Sequence, residues 1–381
     1  MIRTPDLFQP TVERTMTKRR WFSLLLGVLL GASGAAIAQP QPITLGVVLP
    51  LSGNYGEFVK RYILAPTEFA VKEVNQAGGL MGRPVRLVIE DTRFDAASAV
   101  SALRKLADVD KVRVVFTDFT PLALPQLPVA EEKNIIVIAP HTEHPDLTKS
   151  KWGVRATPTA DRPGVKIGEL AGKLGVKTAA ILVESNEASR LSERAFEAEF
   201  KKSGGRVVAT ETFKPSDTEM RGQLTKLRAS RADALYIITA AGRPMALAMR
   251  QVAETGYKPK FLFANHNIED QEVKALGGNV AEGVIYTTFD IDQAFSKRFE
   301  AALGYPADAN AAKQYDATIL LFEAMKRAKT ADDATKVRDA LVNFGDFNGT
   351  IGKYRFAGSG GPDIDPIIKV VKKGEFVRYQ P

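Results

Sequence analysis

The chain has 381 residues, 45% of them hydrophobic and 25% charged, with a formal net charge of +8 at pH 7. That length fits about two domains, each large enough to bury a core. The mildly basic balance contains no dense Lys/Arg run interleaved with aromatics, which argues against a nucleic-acid partner, and the absence of cysteine excludes disulfides, thiol catalysis, cysteine-held metals and a lipid anchor on an N-terminal cysteine.

The first segment reads as a targeting signal. Lys18, Arg19 and Arg20 precede the apolar run "WFSLLLGVLL" (Trp21–Leu30), and small residues follow, ending in Ala36-Ile37-Ala38. A charged start, a short apolar core and an A-x-A site make a cleavable secretory signal peptide over residues 1–38. Met16 is an alternative start. The uncharged stretch from Trp21 to Ala38 has the length of a membrane anchor, but its Gly-, Ala- and Ser-rich second half favours cleavage. The expected location is the periplasm.

Strand and helix patterns then alternate. "ITLGVVL" (Ile43–Leu49) is a buried-strand run, and a helix ending near Asn75 leads into "VRLVIED" (Val85–Asp91). Val100, Leu103, Leu106 and Ala107 give "DAASAVSALRKLADV" helical spacing. "VRVVF" (Val112–Phe116) and "IIVIA" (Ile135–Ala139) are strands, with a helix after Thr120 between them. The rhythm repeats in "TAAILV" (Thr178–Val183), "RVVATE" (Arg206–Glu211), "ADALYII" (Ala232–Ile238) and "KFLFA" (Lys260–Ala264), with helices starting near Asp161, Glu187, Asp217 and Arg243. Helices near Gln293–Leu303, Asn310–Ala328 and Asp332–Val342 follow. "GTIGKYRF" and "PIIKVVKKGEFVRY" close the chain as strands, the latter turning at Lys373-Gly374. Two rounds of apolar, β-branched strands separated by helices predict an α/β protein of two similar lobes, each a doubly wound parallel sheet covered by helices. The late helices are positioned to complete the first lobe.

The glycine motifs do not read as nucleotide loops. In "NQAGGLMGRPVRL" (Asn75–Leu87) the glycines follow a helix and precede a strand, the reverse of a phosphate loop, so a C-cap and turn are expected. "GELAGKL" (Gly168–Leu174) lacks the spacing and the Ser/Thr of a nucleotide loop, and "GSGGPD" (Gly358–Asp363) reads as a turn.

Five segments in order, "LGVVLPLSGNYG", "AVKEVNQAGGLMGRPVRLVIEDTRFD", "NIIVIAPHTEHPDLT", "QYDATILLFEAMKRA" and "FNGTIGKYRF…PIIKVVKKGEFV", resemble the leucine/isoleucine/valine-binding family of periplasmic solute-binding proteins of ABC transporters, over essentially the whole chain after residue 38. The resemblance implies the type I periplasmic binding fold, with the lobes joined by three crossover strands around a ligand cleft. Lobe one would take residues 39–158 and 286–362, and lobe two residues 159–285 and 363–381. It also implies a monomer that closes on a small polar solute, an amino acid or a related carboxylate or amide, and then docks on a membrane permease with its ATPase subunits. No catalytic residue and no cofactor are expected.

Ligands of open α/β sheets bind beyond the carboxyl ends of the strands, which selects the loops after the strands above. In "TDFTPLALP", beside Phe119, Thr120 suits an N-cap and Pro121 the first helical position. A helix N-terminus attracts a carboxylate, and the family carries a ligand-binding hydroxyl here; Thr120 either holds the solute or merely caps its helix. In "PHTEHPDLT" the family shows small–small–Thr–x–Pro, so Glu143 falls at the threonine position and His141 replaces a small residue, with Thr142 available if the register slips by one. In lobe two, Asp161 stands one residue past the family's acidic position and also suits an N-cap. Ala188 replaces the family's tyrosine, Ala241 and Gly242 an aromatic, and Asn265, followed by His266, an acidic partner for the amino group. Tyr55 in "SGNYG" offers a ring or hydroxyl contact from lobe one, or is a surface turn residue. Three usual amino-acid grips are thus altered.

Three other readings compete. One is a metal-binding receptor on the same fold, using His141, Glu143 and His266 as ligands across the cleft, although "HTEH" is not a helical H-E-x-x-H. An enzyme with a His–Glu acid–base pair lacks any accompanying nucleophile or cofactor motif. A sensory ligand-binding domain lacks a signalling segment.

Overall fold

The computed structural model describes residues 40–380 apart from 277–279, 357 and 359; the expected signal segment lies outside the described residues. β1 (Ile43–Leu49) leads into α1 (Gly56–Val59), a π-helical turn (Lys60–Leu64) and α2 (Ala65–Gln76), which run on from one another. There follow β2 (Val85–Asp91), α3 (Ala96–Asp108), β3 (Val114–Thr117), α4 (Thr120–Lys133), β4 (Ile136–Ile138) and β5 (Gly153–Val154). The five strands form one parallel sheet in the order β2-β1-β3-β4-β5. β1, β3 and β4 are buried almost throughout, as central strands covered on both faces must be. β2, at the edge, mixes exposed and covered residues.

The second sheet begins after α5 (Asp161–Lys173). β6 (Thr178–Glu184), α6 (Glu187–Lys202), β7 (Arg206–Phe213), α7 (Arg221–Ala229), β8 (Ala234–Ile238), α8 (Gly242–Glu254), β9 (Phe261–Ala264), α9 (Gln271–Ala275) and β10 (Ile285–Thr288) repeat the alternation of strand and helix. Helices α10 (Gln293–Leu303), α11 (Ala309–Ala328) and α12 (Ala334–Val342) then come in succession. A three-stranded antiparallel sheet follows, β11 (Gly345–Gly349), β12 (Gly352–Phe356) and β13 (Pro362–Asp363). The hairpin of β14 (Ile367–Lys372) and β15 (Glu375–Arg378) completes the seven-stranded order β15-β14-β10-β9-β8-β6-β7. It turns at Lys373-Gly374, both with positive φ.

The chain therefore passes between the sheets three times, after β5, β10 and β13. The expected return to lobe one at residue 286 falls inside β10, which stays in the seven-stranded sheet as far as Thr288. The late helices lie with the first sheet: Phe299, Phe322 and Val337 share one buried cluster with Val115, Phe116 and Ile136. Trp152 is buried in the same cluster.

Two local departures have physical causes. The helix expected near Asp217 starts at Arg221, because the Asp217 carboxylate closes a turn on the Lys214 N–H at 2.8 Å. α4 is capped by Phe119, one residue before Thr120, and Phe119 takes φ 60°.

The glycines of "GVKIGELAGK" prove structural. Gly164, Gly168 and Gly172, four apart, lie on one face of α5. A Cβ there would fall 2.1 Å from the Ser192 carbonyl, 2.9 Å from Glu199 Cβ and 2.4 Å from Ser203 Oγ respectively. The stripe lets α5 and α6 approach backbone to backbone. Gly168→Val should destabilise the protein by about 1–3 kcal/mol, the range for forcing atoms into a packed contact. Gly222→Ala, at an exposed helical site with nothing within 4 Å of the new Cβ, should be neutral or stabilising by up to about 1 kcal/mol; urea unfolding midpoints compare the two.

Candidate functional site

The seven-stranded sheet is mixed, since β14 and β15 pair antiparallel at its edge; the carboxyl ends of the parallel strands of both sheets face a cavity of about 530 Å³. Its first wall is aromatic. Tyr55, beyond β1, stacks on Phe94, beyond β2, at 4.9 Å between ring centroids, and Phe119, beyond β3, lies 5.2 Å from each. Phe94 and Phe119 have φ of 61° and 60°, a region unfavourable to side-chain-bearing residues. Such strain costs of order 1–3 kcal/mol per residue and gathers at functional sites.

Beside this wall lies a buried polar cluster. Asp118 Oδ1 accepts the Phe119 N–H at 2.7 Å and the Thr142 hydroxyl at 3.3 Å, and its Oδ2 lies 2.5 Å from His141 Nδ1. His141 Nε2 faces the Asn310 carbonyl at 2.9 Å; a carbonyl only accepts, so this nitrogen carries a hydrogen. Asn310 Nδ2 donates to Asp308, which fixes the amide, and its Oδ1 therefore accepts from His266 Nε2 at 3.0 Å. Burial, reinforced by nearby Lys313 and His141, holds the His266 imidazole well below its ordinary value, so this ring is neutral.

Two further ionisable groups complete that side. Lys313, on α11 one turn after Asn310, has a side chain 1% exposed, and its Nζ has no hydrogen-bond partner among the described residues. Its nearest carboxylate is Glu143, at 3.9 Å. Burial lowers the Lys313 ammonium and raises the Glu143 carboxyl, each opposed by the other's charge.

The far wall comes from the second sheet. Glu184, the last residue of β6, is fully buried and accepts from the Tyr55 hydroxyl at 3.0 Å and the Ala240 N–H at 2.8 Å. Burial pushes the Glu184 carboxyl above the usual carboxylate range. Asn265 and Asn267 both donate through Nδ2 to the Thr239 carbonyl, at 2.7 and 2.8 Å. Their Oδ1 atoms, so oriented, have no partner among the described residues. Tyr55–Glu184 and His266–Asn310 thus tie the two halves across the cavity.

Of the residues the sequence singled out, Tyr55, Phe119, Thr120 and Pro121 line the cavity, as do His141 and Glu143. So do Ala188, the second residue of α6, and Asn265 and His266 after β9. Four others do not line it. Thr142 is buried on Asp118. Asp161 opens the first turn of α5, with Ala160 at the cap. Ala241 is buried at the start of α8. Gly242 sits behind the wall against Asp270, whose carboxyl carbon would lie 2.0 Å from an added Cβ. Tyr55 is 6% exposed, so it is no surface turn residue.

The metal reading finds no support. Asn310 stands between His141 and His266 and occupies a ring nitrogen of each. Among the described residues no group of three or more His, Asp or Glu side chains could hold an ion. Sequence reasoning also missed Asp118, Glu184, Phe94, Asn267, Asn310 and Lys313. Asp118 and Glu184 adjoin strand ends and could have been found there, whereas Lys313 lies in a helix whose pattern signals only packing.

The Periplasmic binding protein family matches the chain over residues 42–367. A curated relative, Leu/Ile/Val-binding protein homolog 3 of Brucella melitensis, is 26% identical over 352 residues, covering 89% of this chain and 92% of that one. A leucine binding protein from Thermotoga maritima shares the fold with a TM-score of 0.79 at 23% identity, over 89% of this chain and 98% of its own. So does an ABC transporter solute binding protein from R. palustris solved in complex with benzoate, with a TM-score of 0.80 at 23% identity over 88% and 95%.

Glu184 gives a pH signature. Its folded value lies above the ordinary 4.5, so above pH 4.5 the unfolded chain releases this proton first and stability falls as pH rises. Glu184→Gln should flatten the urea midpoint against pH above 4.5. Tyr55→Phe, which removes one donor to the buried carboxyl, should destabilise by about 1–3 kcal/mol.

Proposed function

Because the chain belongs to the periplasmic binding protein family, we propose that it captures a small solute between its two lobes and delivers it to the permease of an ABC transporter. One observation carries the reading: a single cavity of about 530 Å³ takes its walls from both sheets and lies where their strands end. That volume falls within the range that encloses a small organic molecule. The Tyr55–Glu184 and His266–Asn310 contacts are the kind that form when lobes approach, so this arrangement corresponds to the closed partner of an open–closed pair. Nothing in the reading asks for chemistry on the solute; Asp118 and His141 engage each other and the backbone as a structural pair.

Under the same reading, residues 1–38 are removed on export and a monomer works in the periplasm. Lobe one comprises residues 39–158 with the segment from β10's end to residue 362, and lobe two the remainder. Names of relatives point to amino acids and, for one, benzoate, which sets the solutes to try first.

Purification of the chain from residue 39, followed by native mass spectrometry and thermal-shift screening against amino acids, aromatic acids and amides, tests this. A true solute at a hundredfold its Kd should stabilise the protein by about 2.7 kcal/mol and reduce its radius of gyration in solution scattering. If no solute is retained and none stabilises the protein, the proposal fails.

A further inference from the structure

The charges in the cavity narrow the solute class. Of the acidic groups, Asp118 is engaged by the Phe119 N–H, the Thr142 hydroxyl and His141. Both oxygens of Glu184 are taken by Tyr55 and Ala240. An ammonium group from an α-amino acid would find only Glu143, and there it would lie beside a second ammonium, that of Lys313. At the N-terminus of α4, which carries no side-chain cap, the neighbouring Asp118 carboxylate, accepting the Phe119 N–H, would repel a ligand carboxylate. What remains is Lys313, a buried cation with Glu143 at 3.9 Å as its ion-pair partner and no hydrogen-bond acceptor among the described residues. Buried N–H donors left without acceptors are costly, and a ligand carboxylate supplies them.

Resting on the solute-binding reading above, we propose that the solute is an aromatic monocarboxylate, its carboxylate received by Lys313 and its ring laid against Tyr55, Phe94 and Phe119. The three rings form a continuous apolar wall, which suits offset or edge contact with another flat ring. At the second-sheet wall the oriented Oδ1 atoms of Asn265 and Asn267 await donors. A ring hydroxyl supplies one, so hydroxylated acids bind more tightly than benzoate itself.

Titration calorimetry on the chain from residue 39 tests this with benzoate, 4-hydroxybenzoate, 4-hydroxycinnamate, methyl 4-hydroxybenzoate and leucine. The acids should bind at least a hundredfold more tightly than the methyl ester or leucine, a comparison that needs no variant. In Lys313→Met the acids should lose at least a hundredfold while the ester changes less than threefold, with an unfolding midpoint no lower than wild type. Leucine binding in preference to the aromatic acids overturns the solute class while leaving the solute-binding reading intact. Acid binding that survives Lys313→Met overturns the role of Lys313. Binding of none of these, with a different solute co-purified, overturns the class; binding of none with nothing co-purified removes the solute-binding reading as well.

Discussion

The hydrogen bonds of Asn310 set the geometry of the whole cleft. One residue offers a backbone carbonyl to His141, a side-chain oxygen to His266 and an amide N–H to Asp308. Asp308 in turn caps α11 through the Ala311 N–H at 2.8 Å. A loop of the first sheet, a loop of the second and the start of the longest helix therefore meet at one buried amide. Because α11 is held at this end, Lys313 one turn later has a fixed address in the wall. Buried polar networks of this kind are effective only when every member is satisfied, and Asn310 is satisfied on all three sides.

The same cluster explains why charge is distributed unusually. A helix N-terminus beside a cleft attracts anions, but here the Asp118 side chain stands next to it, hydrogen-bonded to the Phe119 N–H, Thr142 and His141. Lys313, by contrast, has only the Glu143 carboxylate at 3.9 Å and no hydrogen-bond partner among the described residues; on the proposal above it is the group that a solute carboxylate would meet.

Much of the fold was legible because it rests on local rules. Apolar β-branched runs alternating with helical spacing dictate parallel strands, and the late helices share one buried cluster with the first sheet. The loops beyond strand ends were legible too, which brought Tyr55, Phe119, His141, Glu143, Asn265 and His266 to the cavity. Misses arose where tertiary partners decide. Lys313 resembles an ordinary helical lysine until α11 is seen buried along most of its length. Glu184 resembles a strand-end acid until the Tyr55 hydroxyl arrives from 129 residues away. Asp161, Ala241 and Gly242 came from counting positions in a pattern, and a one-residue difference at a helix start is enough to turn a side chain behind the wall.

The backbone at Phe94 and Phe119 has a consequence for how this protein can change. Both positions adopt a conformation that glycine reaches without strain, yet both carry the rings that form the aromatic wall. Losing either ring would relieve that strain but would also give up its stacking in the wall and its packing on the buried cluster behind it. At these two positions backbone strain is held in place by ring packing, so a glycine there would trade the one for the other.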